Sequence, residues 1–134
     1  MYSTRRILPV TMSSDSNMRR VEIVSPIRTP VRKFMGSLAG VKAGELGAIV
    51  IKEVVARTRI NPERIDDVVF GQECANGEAP CIAGLSALAA GLPVSVPGYQ
   101  VDRRCGGGLQ AVIDAAMIVQ TGGLTMSLPA ASKV

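Results

Sequence analysis

Between about residue 20 and residue 122 the chain alternates short β-branched runs with longer Ala- and Gly-rich stretches, an order that few architectures accept. Val21, Ile23 and Val24 make the first run, closed by Pro26 and Pro30, and predict a strand. GELGAIVIKEVVARTR, from Gly44, then sets Leu46, Ile49, Val50 and Val54 at helical spacing. Asn61 before Pro62 pairs a capping residue with proline at the first helical position, so a short helical turn is expected there. Val68, Val69 and Phe70, bounded by Gly71, suit a buried strand. QECANGEAPC is loop-like, with turn signals at Asn76-Gly77 and Pro80, and IAGLSALAAGL is a helix ended by Gly91 and Pro93. VSVPGYQVD supplies a third strand, placed at 99–102. GLQAVIDAAMIVQTG then predicts a helix over 108–120 with Leu109, Val112, Ile113, Ala116 and Met117 on one face. Strand, helix, strand, helix, strand, helix implies right-handed crossovers and an α/β fold, a mostly parallel sheet with covering helices.

Composition narrows the function. Aromatics are only 3% and Trp is absent, so the core must come from Val, Ile, Leu, Ala and Met. The net charge of +4 is scattered, and no basic stripe is interleaved with aromatics, which argues against nucleic acid as a partner. No apolar stretch is long enough to span a bilayer, so no membrane partner is expected. Three cysteines, at 74, 81 and 105, with no CxxC pair, fit reduced thiols and a cytoplasmic setting better than a disulfide framework. There is no histidine, which removes the commonest zinc partner and forbids a Cys-His pair or Ser-His triad within the chain. No metal site is expected.

The segment VDRRCGGGLQAV, 101–112, leaves three readings of Cys105. A lone cysteine in an apolar chain is most often a small buried hydrophobe. The three glycines could cradle a phosphate, but GxxxxGK[ST] is absent and the GxGxxG spacing does not fit. Alternatively, a thiol between a strand's carboxyl end and a helix N-terminus sits where unpaired N–H groups favour thiolate. Arg103 and Arg104 could assist, or point to solvent.

VDRRCGGGLQAVIDAAMIVQTG resembles the acyl-enzyme segment of thiolases, the acetyl-CoA acyltransferases. The likeness runs upstream in order through VEIVSPIRTPVRKFMGSLAG, the ELGA helix, NPERIDDVVFGQ and NGEAPCIAGLSALAAGLP. It implies an incomplete thiolase-like N-terminal half over 20–122, a disordered leader over 1–19 and a divergent tail over 123–134 of a truncated or frame-shifted product. The resemblance makes Cys105 a catalytic nucleophile that holds an acyl group as a thioester between coenzyme A thioesters, by acetyl-CoA condensation or 3-ketoacyl-CoA thiolysis. Its backbone N–H would serve one oxyanion-hole position. Coenzyme A thioesters are substrates, and no cofactor is implied. The full-length family implies homo-oligomers, and a role in lipid and fatty acid metabolism.

Two departures from the family pattern stand out. Gly107 replaces the usual serine, and Asp102 places a negative charge three residues before the sulfur. The family's C-terminal histidine and second cysteine lie outside the matching stretch, so little or no activity is expected of the chain alone. Cys74 and Cys81 read as structural thiols, and Arg28, Thr29 and Pro30 as a positional loop. Two alternatives remain: a non-catalytic fragment that acts by dimerising with a full-length homologue, and a ketoacyl synthase relative.

Overall fold

The computed structural model describes residues 18–75 and 77–132; the leader expected before them, through residue 17, and the turn residue Asn76 lie outside. The centre is β1, Asp67–Gln72, whose Val68 and Val69 are 0% exposed. β2 (Gly98–Val101) and β3 (Ser127–Ser132) pair with it on either side, both parallel, giving the order β2-β1-β3. Val68 lies opposite Gly98 in one pairing and opposite Leu128 in the other.

A strand flanked on both edges and covered on both faces must be apolar at every position. Accordingly Val68 and Phe70 join a cluster with Ile51, Ile82 and Ala83 on one face, while Val69 packs with Ala111 and Ala115 on the other. The first face is covered by α1 (Ala43–Thr58) and α2 (Ile82–Ala90), the second by α3 (Gly107–Gln120). The α2 N-terminus is capped from β2: Ile82 N–H donates to Gln100 Oε1 at 3.0 Å, and Cys81 Sγ donates to the Gly98 carbonyl at 3.4 Å. Gly91 ends α2 at φ +84°, a left-handed conformation that glycine adopts without strain. As expected from Asn61-Pro62, a single 3₁₀ turn spans Pro62–Arg64, with Asn61 Oδ1 accepting from Glu63 N–H at 3.2 Å.

Three expectations change. Residues 21–24 form no strand; Ile23 is 72% exposed and Val24 64%, because both edges of β1 are already taken. Residues 127–132, expected to fall outside the alternation, supply the strand that fills one of those edges. The helices also turn different faces inward. In α1 the buried residues are Ala43, Gly44, Gly47, Ala48 and Ile51, and Ile49 is exposed. In α3 they are Gly107, Ala111 and Ala115, whereas Leu109 is 68% exposed, Met117 57%, and Ile113 is exposed as well. Small residues let each helix backbone close onto its neighbour, and positions two residues away then point roughly to the opposite side.

Gly47 shows how tight that closure is. A Cβ there would sit 2.4 Å from Ser86 Oγ and 2.7 Å from Phe70 Cε2, and Ser86 Oγ is held by the Gly44 carbonyl at 3.1 Å. Helix propensity alone would favour Gly47→Ala by ~1 kcal/mol. Overpacking opposes it by about 1–3 kcal/mol, so Gly47→Ala is expected to lower the urea midpoint.

Asp66 ties the start of β3 to the start of β1. Its Oδ2 accepts from Thr125 N–H at 2.7 Å and Met126 N–H at 2.9 Å, and these bonds, with Arg64 nearby, hold its carboxyl below the ordinary 3.8. A depressed folded pKa gives stability that is present above the unfolded value and lost as pH falls through the folded one. Asp66→Asn should therefore cost up to about 1 kcal/mol at pH 7, a small figure because the group is partly solvated. The gap from the parent should close in urea titrations run below pH 3.8.

Candidate functional site

Because all three strands run parallel, their carboxyl ends emerge at one edge of the sheet, where α/β folds place ligands. A shallow cleft opens there, lined by Gly71 of β1 and Glu73 just after it, by Arg104, Cys105, Gly107 and Gly108 after β2, and by Ala131 of β3. Its floor is backbone on backbone. A Cβ on Gly71 would meet the Gly107 carbonyl carbon at 2.3 Å and Gly108 N at 2.7 Å. On the other side, a Cβ on Gly108 would meet Ala131 Cβ at 2.6 Å.

Cys105 lies in a 3₁₀ turn, Arg104–Gly106, that leads from β2 into α3. It is exposed, at the strand-to-helix junction the sequence indicates, and not buried as a small hydrophobe. Arg104 precedes it at φ +49°, a conformation L-residues rarely hold without support. Support comes from three bonds. Arg104 N–H donates to Asp102 Oδ1 at 3.0 Å, and its guanidinium donates to Asp102 Oδ2 at 2.7 Å and to the Glu73 carbonyl at 3.1 Å. The Asp102 charge is thus paired with Arg104. Arg103 instead bonds Gln110 on α3.

Among the described residues, the remaining charged group of the cleft is Glu73, half-buried, whose Oε1 accepts from Cys105 Sγ at 3.8 Å. Sequence reasoning missed it. Glu73 lies 32 residues from Cys105, and only the pairing of β1 with β2 brings the two strand ends together. Arg28, Pro30 and Val31 line a separate surface depression, so the RTP loop is not part of this cleft. Cys81 packs partly against the core, as a structural thiol would, whereas Cys74 is exposed. Among the described residues, no group of three or more Cys, Asp or Glu is placed to hold a metal ion. No helix of the described residues is long and apolar enough to cross a membrane.

Gly71 is the site's structural requirement. The atoms a methyl would strike are backbone and cannot swing aside, so Gly71→Ala is expected to cost on the order of 3 kcal/mol. Urea denaturation followed by circular dichroism measures it; a change under 1 kcal/mol would show that α3 does not seat as described.

Comparison with known proteins places this architecture. The family model described as thiolase, N-terminal domain, matches residues 21–130. An acetyl-CoA acetyltransferase of Cupriavidus necator is 44% identical over 105 residues, covering 78% of this chain and 27% of that protein. A 3-ketoacyl-CoA thiolase of Yersinia enterocolitica is 40% identical over 109 residues, covering 81% and 25% respectively. Among solved structures, the Bacillus anthracis acetyl-CoA acetyltransferase superimposes with a TM-score of 0.76 at 34% identity, over 78% of this chain and 27% of that one. The chain spans about a quarter of the length of the relatives it matches.

Proposed function

The chain belongs to the thiolase family, matching its N-terminal domain over residues 21–130, and we propose that Cys105 is its acyl-carrying nucleophile in transfer between coenzyme A thioesters. In this reading the sulfur takes up an acyl group as a thioester. In the condensing direction it attacks the acetyl-CoA thioester carbonyl and the coenzyme A thiol leaves. In the thiolytic direction it attacks the 3-keto carbonyl, the C2–C3 bond breaks and acetyl-CoA leaves, its C2 taking up a proton. A second acyl-CoA then accepts it by Claisen condensation, or free coenzyme A accepts it in the thiolytic direction. The substrates carry the chemistry, and the reading calls for no metal or redox cofactor. A cytoplasmic location in lipid metabolism accords with it.

One observation carries the reading: an exposed sulfur at the shared carboxyl edge of three parallel strands, immediately ahead of α3. Helix N-termini favour anionic groups, and the glycines beside the sulfur leave room for a substrate's backbone-like chain. The chain has no histidine, so no imidazole among these 134 residues serves the proton transfers of a full cycle.

A second reading rests on a different surface. Leu109, Ile113 and Met117, four residues apart, form an exposed apolar stripe on α3, the helix that packs on β1 and β3. We infer that this face meets a homologous thiolase subunit, the homo-oligomer the family resemblance implies.

Two measurements test these readings. Incubation with acetyl-CoA followed by peptide mass spectrometry should show an acetyl adduct on Cys105 that is absent in Cys105→Ala, and the chain alone should not turn over acetoacetyl-CoA. An adduct on Cys74 or Cys81 instead would remove the nucleophile assignment. Size measurement with and without a full-length homologue should show association that Leu109→Glu weakens at least tenfold; a lone monomer in both samples would sink the second reading.

A further inference from the structure

The group nearest the reactive sulfur carries the wrong charge for a thiolate. Cys105 Sγ points its hydrogen at Glu73 Oε1, 3.8 Å away. The two arginines that flank the cysteine spend their hydrogen bonds elsewhere. Arg104 bonds Asp102 and the Glu73 main-chain carbonyl, and Arg103 bonds Gln110. Ala131 of β3 also lines the cleft. Among the described residues, the charged groups around the sulfur are Glu73 from the end of β1, and Asp102, Arg103 and Arg104 from the β2–α3 connection. Asp102 and Arg104 compensate each other.

Two opposing influences then act on the S–H bond. The start of α3 offers the equivalent of roughly half a positive charge, spread over its first turn. Cys105 stands two residues ahead of Gly107, where that helix begins. Glu73 offers a full negative charge at hydrogen-bond distance, accepting from the neutral thiol, and a bond to the neutral form disfavours the charged form.

We propose that Glu73 sets the reactivity of Cys105, its carboxylate accepting the S–H bond at 3.8 Å and opposing the build-up of negative charge on the sulfur as it attacks. The inference rests on Cys105 being the reactive group of the proposed function and adds a control to that site. Glu73 acts through the cysteine, as a positioning residue, and is assigned no contact with substrate. Any partner or substrate that draws the Glu73 carboxylate away, or sets a cation against it, would release the sulfur.

Alkylation by iodoacetamide, followed at the Cys105 peptide by mass spectrometry on the whole chain, tests this without relying on acyl transfer. At pH 7 and low salt, Glu73→Gln should alkylate at Cys105 about fivefold faster or more, while Glu73→Asp, which keeps the charge, should stay within about twofold of the parent. In 8 M urea, where residues 73 and 105 separate, the parent and Glu73→Gln should react alike. If Glu73→Gln does not fold, the parent alone decides: 1 M NaCl should speed Cys105 alkylation relative to the urea-unfolded chain, because screening weakens the carboxylate's hold. A folded Glu73→Gln that reacts at the parent rate or slower overturns the proposal, as does a parent indifferent to salt. Faster alkylation without an acetyl adduct would sink the acyl-transfer reading alone. An adduct with unchanged alkylation would sink the role of Glu73 alone.

Discussion

The contact between β1 and the first turn of α3 governs the architecture. Gly71 and Gly107 meet with no side chain between them, and a methyl on Gly71 would lie 2.3 Å from the Gly107 carbonyl carbon. That closeness fixes how far α3 advances along the sheet. The 3₁₀ turn that delivers Cys105 is continuous with α3, so the sulfur's position relative to the end of β1 follows from the same contact. The 3.8 Å separation of Cys105 and Glu73 is a consequence: one residue follows the strand that packs against the helix, the other precedes the helix itself.

The same economy of small residues explains the exposed apolar surface. Helices α1 and α3 turn mostly Gly and Ala inward, Ile51 being the large buried side chain of α1, so several of their other large side chains face outward. Leu109, Ile113 and Met117 are left toward solvent on one side, and Ile49, Leu85 and Leu88 on the other.

What the sequence made legible follows from this. Element type was readable because the apolar runs are short and the caps are strong, as at Asn61 and Gly91. The placement of Cys105 at a strand-to-helix junction was readable for the same reason. The inward faces were not, because counting Leu, Ile and Val finds the bulky stripe, whereas close packing here selects the small one. Val21–Val24 has strand propensity, but a strand also needs a free neighbour, and β3 occupies the available edge. Pro129 in β3 works against reading 127–132 as a strand at all, since proline gives up a ladder donor; such a residue survives at a sheet edge, which is where β3 lies. Glu73 carries no local motif. Its relevance exists only once β1 and β2 are known to be neighbours.

Arg104 shows how local strain and charge are coupled at the cleft. A non-glycine residue at φ +49° costs on the order of 1 kcal/mol. Each of the three bonds it makes, two to Asp102 and one to the Glu73 carbonyl, returns a comparable amount in part-solvated surroundings. Asp102, a departure from the family pattern that placed a charge near the sulfur, is therefore spent on holding the turn. The guanidinium of Arg104 is thus held between Asp102 and the Glu73 main chain, and among the described residues no ion pair joins it to the Glu73 carboxylate that accepts from the sulfur.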